Sequence, residues 1–308
     1  MNNTTKTINR ALLNKVLNTI KINGFTLKAI NLSLNSIIKE STLLNKISWF
    51  TYAHKLKTWL NSAIDSDTLP FTPFTLGNEK LPFLSWSTCP GINCPGAGLC
   101  WNNGRGYCYS LKAWRYPAAF FRQLQNTILE NTHFGRAIIL QHLDRLQDLP
   151  KFKKLDHITL RLFVDGDFSS LENLKFWMNA IKARPKLKVY GYSKSLHFFK
   201  QLNESGYVWP KNYVLNGSSG SKYENTKTAL YVSKLPIYRG EFKTMYVTKE
   251  TLTAWKTQEL KPVHTNELKQ QDKKYFICPT KCGSCTKIGH ACGNNEVFKD
   301  VTIVIPAH

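Results

Sequence analysis

The chain has 308 residues, a formal charge of +22 from 42 Lys and Arg against 20 Asp and Glu, and eight cysteines. Its basic residues are spread along the whole length, a field that favours a polyanionic partner, nucleic acid and DNA above all. No run of eighteen apolar residues is present, which excludes a helix that spans a membrane. The length allows one large domain or two small ones with an ample core.

The first residues after Met1, NNTTKTINR, precede an amphipathic rather than continuously apolar segment. The expectation is a chain without a secretory signal, placed in the cytoplasm with its thiols reduced. ALLNKVLNTIKING predicts a helix with Leu12, Leu13, Val16, Leu17 and Ile20 on one face, stopped at Asn23-Gly24. FTLKAINLSLNSIIKE and LLNKISWFTYAHKLKTWLNSAI continue the period. Residues 1–65 carry nine Lys or Arg against Glu40 and Asp65. They read as a basic helical region, either a DNA-binding module of the helix-turn-helix kind or a cap on the main domain. Residues 66–87, with Pro70, Pro73 and Pro82, read as a linker, and residues 88–308 as an α/β domain.

Cys89, Cys94, Cys100 and Cys108 stand within 89–108, and Cys278, Cys282, Cys285 and Cys292 within 278–292. Cys-Pro and Cys-Gly pairs bend the chain at five of them, as four thiolates converging on a soft metal require. Disulfides are the alternative, less fitting for a long chain with reduced thiols. The Cys282-x2-Cys285 pair suits zinc or iron–sulfur. The irregular spacing and the aromatic residues Trp86, Trp101, Tyr107, Tyr109 and Phe276 favour a shielded 4Fe–4S cluster, one or two in number, with zinc as the alternative.

Tyr116 to Gln147 predicts a helical stretch. Beyond Pro150 strands and helices alternate: HITLRLFV, the helix LENLKFWMNAIKA capped by Ser169 or Ser170, LKVYGYS, a short helix at SLHFFKQL, YVLNGSSGS, FKTMYVT and DVTIVIP. Val164, Val189 and Val214 are each 25 residues apart, the length of a strand, a loop and a crossover helix. The expected fold is therefore α/β, a parallel sheet or partial β/α barrel with a helical basic N-terminal region and two Cys-ligated metal sites. Function in such sheets gathers beyond the carboxyl ends of the strands. Asp165, Asp167, Ser193, Lys194, Ser195, residues 216–219, Thr248, Lys249 and His308 fall there. Asp165, Asp167 and Lys194 are the candidate catalytic residues: two carboxylates for a divalent ion or substrate hydroxyl, and an amine for a phosphate or carboxylate. Capping of the next helix is the alternative role for the two aspartates.

TCPG with its spaced cysteines, CYSLKAWRYP, RLFVDGDFSS, KVYGYSKS and a cysteine cluster closing on a strand that ends in histidine together resemble the gene-product-88 family of phage and plasmid proteins, over roughly residues 80–308. The resemblance maps the family marks onto Cys89 to Cys108, Gly166 to Phe168, Tyr192 to Ser195 and Cys278 to Cys292. It implies a radical-SAM-like partial barrel on a mobile element. The C-x3-C-x2-C spacing of radical-SAM enzymes occurs at Cys278, Cys282 and Cys285, at the end of the chain rather than after the first strand, with Cys292 available as a fourth ligand. Three functional expectations follow. The first is a DNA-binding iron–sulfur protein acting in plasmid replication initiation. The second is a radical-SAM-like or metal-dependent nucleic-acid-processing enzyme, and the third a zinc-stapled nucleic-acid-binding protein.

Overall fold

The computed structural model describes residues 26–62, 68–91, 93–102, 106–246, 275–286 and 290–306, with 248, 250 and 253 singly. The expected helix at residues 11–24, Lys249 and His308 lie outside the described residues. Helix α1 (Leu27–Leu43) starts where Thr26 Oγ1 accepts from Ala29 N at 3.1 Å, a side-chain cap for an otherwise orphaned amide. Helix α2 (Ile47–Asn61), strand β1 (Leu84–Ser85) and helices α3 (Ser110–Ala113), α4 (Pro117–Glu130), α5 (His133–Asp148) and α6 (Pro150–Lys153) follow. Ile30, Leu34 and Ile37 of α1 and Trp49, Ala53 and Leu56 of α2 recur at helical spacing and are buried. Trp49 meets Phe120 and Phe121 with ring centroids 5.1 and 5.5 Å apart, so the basic helices share one apolar cluster with α4 and strand β2 (Ile158–Leu162). Phe71 and Phe74, from the stretch expected as a linker, are buried in that same cluster.

The alternating half contains β2 (Ile158–Leu162), α7 (Leu171–Lys182), β3 (Leu187–Ser193), α8 (Leu196–Glu204), β4 (Tyr213–Ser218), α9 (Lys227–Val232), β5 (Tyr238–Met245), β6 (Tyr275–Ile277), α10 (Cys282–Cys285) and β7 (Thr302–Pro306). Seven strands form one sheet in the order β1-β2-β3-β4-β5-β7-β6, and every pair is parallel. The α/β expectation holds as a parallel sheet. Closure into a barrel is not seen, since no pairing joins β1 to β6 among the described residues. The flanking loops do meet: Cys282 N donates to Lys80 O at 2.9 Å and Lys281 pairs with Glu79 at 3.0 Å.

Side-chain alternation divides the sheet into two faces. Ile158, Leu160, Leu162, Leu187, Val189, Tyr213 and Leu215 pack against the helices. Tyr190, Phe276 and Ile303 pack on the opposite side with Cys285, Ala291 and Cys292. The helical face therefore stabilises the domain, and the other face is roofed by cysteine-bearing segments. The stretch from Tyr116 to Gln147 is two helices rather than one. Asn131 Nδ2 and Thr132 Oγ1 donate back to Thr127 O and Ile128 O, each at 2.8 Å, and so satisfy the last carbonyls of α4.

Candidate functional site

The turn Val164-Asp165-Gly166-Asp167-Phe168 follows β2. Gly166 has φ +85, and a Cβ there would lie 1.9 Å from Thr88 Oγ1, so glycine is required. Asp167 then reaches the end of β3. Its Oδ1 accepts from Phe168 N and Ser193 Oγ, both at 2.8 Å, and its Oδ2 from Lys194 N at 2.8 Å and from Ser195 N and Oγ at 3.1 Å. Five donors on one buried carboxylate make Asp167 the staple between two strand ends. Asp165 differs: Oδ2 accepts from Gln123 Nε2 at 2.8 Å, whereas Oδ1 is buried without a hydrogen-bond partner. Burial raises the pKa of both carboxyls above the usual range.

A cavity of about 450 Å3 lies over the sheet face away from the helices and reaches the carboxyl ends of β2 and β3, where Asp165, Asp167 and Lys194 line it. Seven cysteines share its wall: Cys94, Cys100 and Cys108 from the first group, and Cys278, Cys282, Cys285 and Cys292 from the second. Cys89 is the exception. It is buried against α4, its N–H donating to Thr127 Oγ1 at 2.9 Å. The first cysteine loop is docked on the strand ends by backbone: Gly96 N donates to Ser195 Oγ at 3.3 Å and Lys222 N to Gly96 O at 2.8 Å. The second is anchored by Asn216 Nδ2, which donates to Cys292 O at 3.0 Å, and by Cys278 N, which donates to Val304 O at 2.8 Å.

Three residues of the cavity wall hold positive φ without being glycine: Phe163 at 58°, Thr280 at 64° and His290 at 64°. Such strain persists where packing imposes it, and it concentrates at functional sites. Burial pushes two thiols of the second group up, Cys278 to about 12 and Cys285 to about 11, so alone these two are protonated. A hydrogen bond between Cys100 and Cys108 holds Cys108 as the more acidic of that pair. Cations stand beside both groups. Lys194 favours the thiolates of Cys94, Cys100 and Cys108, and Arg239 and Arg161 favour that of Cys292. This environment matches what bound, net-negative thiolate centres need. Cys285 Sγ also accepts from Ala291 N at 3.3 Å, the kind of N–H···S contact that tunes such centres. The donors fit an iron–sulfur or zinc centre in kind. Their spacing is looser than that of ligands, since no three or more His, Cys, Asp or Glu are close enough to hold a metal ion among the described residues.

Among the other residues expected at the strand ends, Ser193 and Ser195 serve Asp167. Lys194 Nζ bonds Ser218 Oγ. Asn216 is fully buried, its Oδ1 accepting from Arg239 Nε at 2.5 Å. Ser219 Oγ accepts from Thr244 N at 2.9 Å, and Thr248 is exposed. Sequence reasoning missed Arg161, whose guanidinium lies 4.8 Å over the Tyr192 ring. Its signal was a charge in the middle of an apolar strand. Glu130 was missed as well. It is buried where Asn93 Nδ2, Trp86 Nε1 and Trp177 Nε1 donate to it at 2.6, 3.2 and 3.4 Å, and burial pushes it up to about 8. Through Asn93 it anchors the loop that carries Cys94.

No described helix is long and apolar enough to cross a membrane. No curated protein matches the chain, and no solved structure matches it either. The family model described as gene product 88 matches residues 47–299, which take in both cysteine groups, the Asp165-Gly166-Asp167 turn and six of the seven strands, and the chain belongs to the gene product 88 family.

Proposed function

We propose that this protein is an iron–sulfur enzyme of a mobile element that acts on nucleic acid, with its chemistry in the cavity between the two cysteine groups. The observation that carries this reading is the gathering of seven cysteines, Asp165, Lys194 and Arg161 on the wall of one cavity of about 450 Å3. Centres that only staple a fold are closed on themselves and need no adjoining space, whereas catalytic centres keep an open position. The cavity also falls within the size range of small-ligand sites. Cys278, Cys282, Cys285 and Cys292 would hold one 4Fe–4S cluster with four ligands. Cys94, Cys100 and Cys108 would hold a second with three, leaving one iron for an exogenous ligand such as S-adenosylmethionine. When bound, that centre supplies one-electron chemistry. Lys194, Arg161 and Arg239 balance the thiolate charge, and the Asp167 staple fixes the β2 and β3 ends around the site.

The test is anaerobic purification with iron, zinc and acid-labile sulfide analysis, followed by incubation with reductant and S-adenosylmethionine and an assay for 5′-deoxyadenosine. About four irons and four sulfides per cysteine group, with release of 5′-deoxyadenosine, is the expected result. A colourless protein with zinc instead of iron would leave the cysteines as staples and overturn the enzyme reading. The net charge of +22 favours a second reading, a DNA-binding iron–sulfur protein in plasmid replication initiation. That reading requires binding to DNA that weakens steeply with salt, and salt-independent or absent binding removes it.

A further inference from the structure

We propose that the cavity holds a subsite for a single nucleotide, with Arg161 meeting its phosphate and Asp165 accepting a hydrogen bond from its base or sugar. This rests on the reading of the cavity as an active site and names what that site takes. Two buried side chains on the wall each carry one atom without a partner. Asp165 is 8% exposed and His290 9% exposed, and neither Asp165 Oδ1 nor His290 Nε2 has a hydrogen-bond partner among the described residues. Arg161 Nε is likewise buried and unpartnered. An unsatisfied buried polar atom costs about 1–3 kcal/mol, and these three belong to residues that line one cavity, where a ligand can satisfy them.

The chemistry of Arg161 and Asp165 is specific. Arg161 is a permanent donor whose planar fork suits a phosphate oxyanion. It lies in the middle of β2 with its guanidinium on the Tyr192 face at 4.8 Å, so its position is set by packing. Gln123 Nε2 occupies Asp165 Oδ2 and fixes the rotamer, so that Oδ1 of the ionised carboxylate is an acceptor. Gln123 is held in turn by Trp114 Nε1 at 2.5 Å. An oxyanion at one point and an N–H or O–H donor at another describe a nucleotide, and a bare anion meets only half of the site. The wall adds aromatic surface for a base. Trp101 and Tyr107 line it, and Tyr107 meets the exposed Tyr246 edge to face at 6.4 Å. Stacking on such rings is tolerant of base identity. A nucleotide turned out of a strand and a free nucleotide present the same groups, and the +22 charge draws either one in.

Equilibrium dialysis on the anaerobically purified protein tests the assignment, with the four deoxynucleoside 5′-monophosphates, the matching deoxynucleosides, inorganic phosphate and a short oligothymidylate as probes. A monophosphate should bind more tightly than both its nucleoside and inorganic phosphate. Arg161→Gln should weaken the monophosphate about tenfold or more while leaving the nucleoside unchanged, and Asp165→Asn should weaken both. Competition by the oligothymidylate at lower concentration than the monophosphate assigns the subsite to a nucleotide within a strand, and the reverse order assigns it to a free nucleotide. Binding of monophosphate no tighter than inorganic phosphate, or equal in Arg161→Gln and wild type, overturns the proposal. Arg161→Lys, which keeps the charge and loses the fork, separates phosphate recognition from folding by its circular dichroism and iron content. Iron retained without nucleotide binding sinks the subsite alone, and nucleotide binding without iron sinks the cluster alone.

Discussion

Glu130 gives the protein a pH dependence that can be worked out from one residue. It is fully buried on α4, and burial raises its carboxyl from an ordinary value near 4.5 to about 8 in spite of the donors Trp86 and Trp177. The folded state therefore holds a proton that the unfolded state releases. Below pH 4.5 both states are protonated, and this contribution is fully present. It declines as pH rises and is gone above about 8, where both states are ionised. At about 1.4 kcal/mol for each tenfold change in proton affinity, the decline is on the order of 4 kcal/mol. Glu130→Gln keeps the shape and an acceptor oxygen but removes the titration. Urea unfolding of both proteins between pH 5 and 8, anaerobically and with reductant, should therefore show the wild type losing ground to Glu130→Gln by several kcal/mol as pH rises. A difference between the two that stays constant over that range refutes the argument. The same pair reports on the Cys94 loop, since Asn93 donates to this carboxylate at 2.6 Å.

Asp167→Asn places an amide where N–H and O–H donors converge, and should lower stability by about 2 kcal/mol in denaturant titrations. Full stability with selective loss of turnover would make Asp167 a catalytic group and not a staple. Gly96→Ala would bring a Cβ to 2.1 Å from Lys194 O. The cysteine loop should lift from the strand ends, with a loss of about 1–3 kcal/mol and faster labelling of Cys94 by a thiol reagent; unchanged labelling counts against the docking described. Cys89→Ala should keep the iron content of the wild type, because Cys89 stands away from the cavity wall, whereas Cys100→Ala and Cys282→Ala should each lose roughly half of it. Iron analysis decides this, and equal losses in all three variants would return Cys89 to the ligand set.

The helix and strand periods of β2, β3, β4 and β7 were legible because each carries enough alternating apolar residues to declare its own conformation. The spacing from Val189 to Val214 was legible for the same reason, and Val214 stands opposite Tyr190 in the sheet. Strands β1 and β6 were not. Two residues in a proline-rich stretch and three before Cys278 have no period of their own, and they extend only because β2 and β7 offer ladder partners. The Asp165-Gly166-Asp167 turn stood out as polar residues after a strand, but the two carboxylates looked alike. Their difference is tertiary: Ser193 and Ser195 arrive from β3 to occupy Asp167, whereas Gln123 of α4 takes Asp165 Oδ2 and leaves Oδ1 without a partner.

By itself the sequence determined which residues bring soft donors, which bring charge and which stretches alternate, since these are properties of composition and local spacing. The tertiary structure alone decided which of them meet. It brought two cysteine groups, separated by strands β2 to β6 in sequence, onto one cavity and left Cys89 in the core. It also turned Arg161 toward that cavity rather than toward the helices. The physical reason is that a strand shows its two sides to different surroundings, and only the packing of helices on one side and cysteine segments on the other settles which side a charge can occupy.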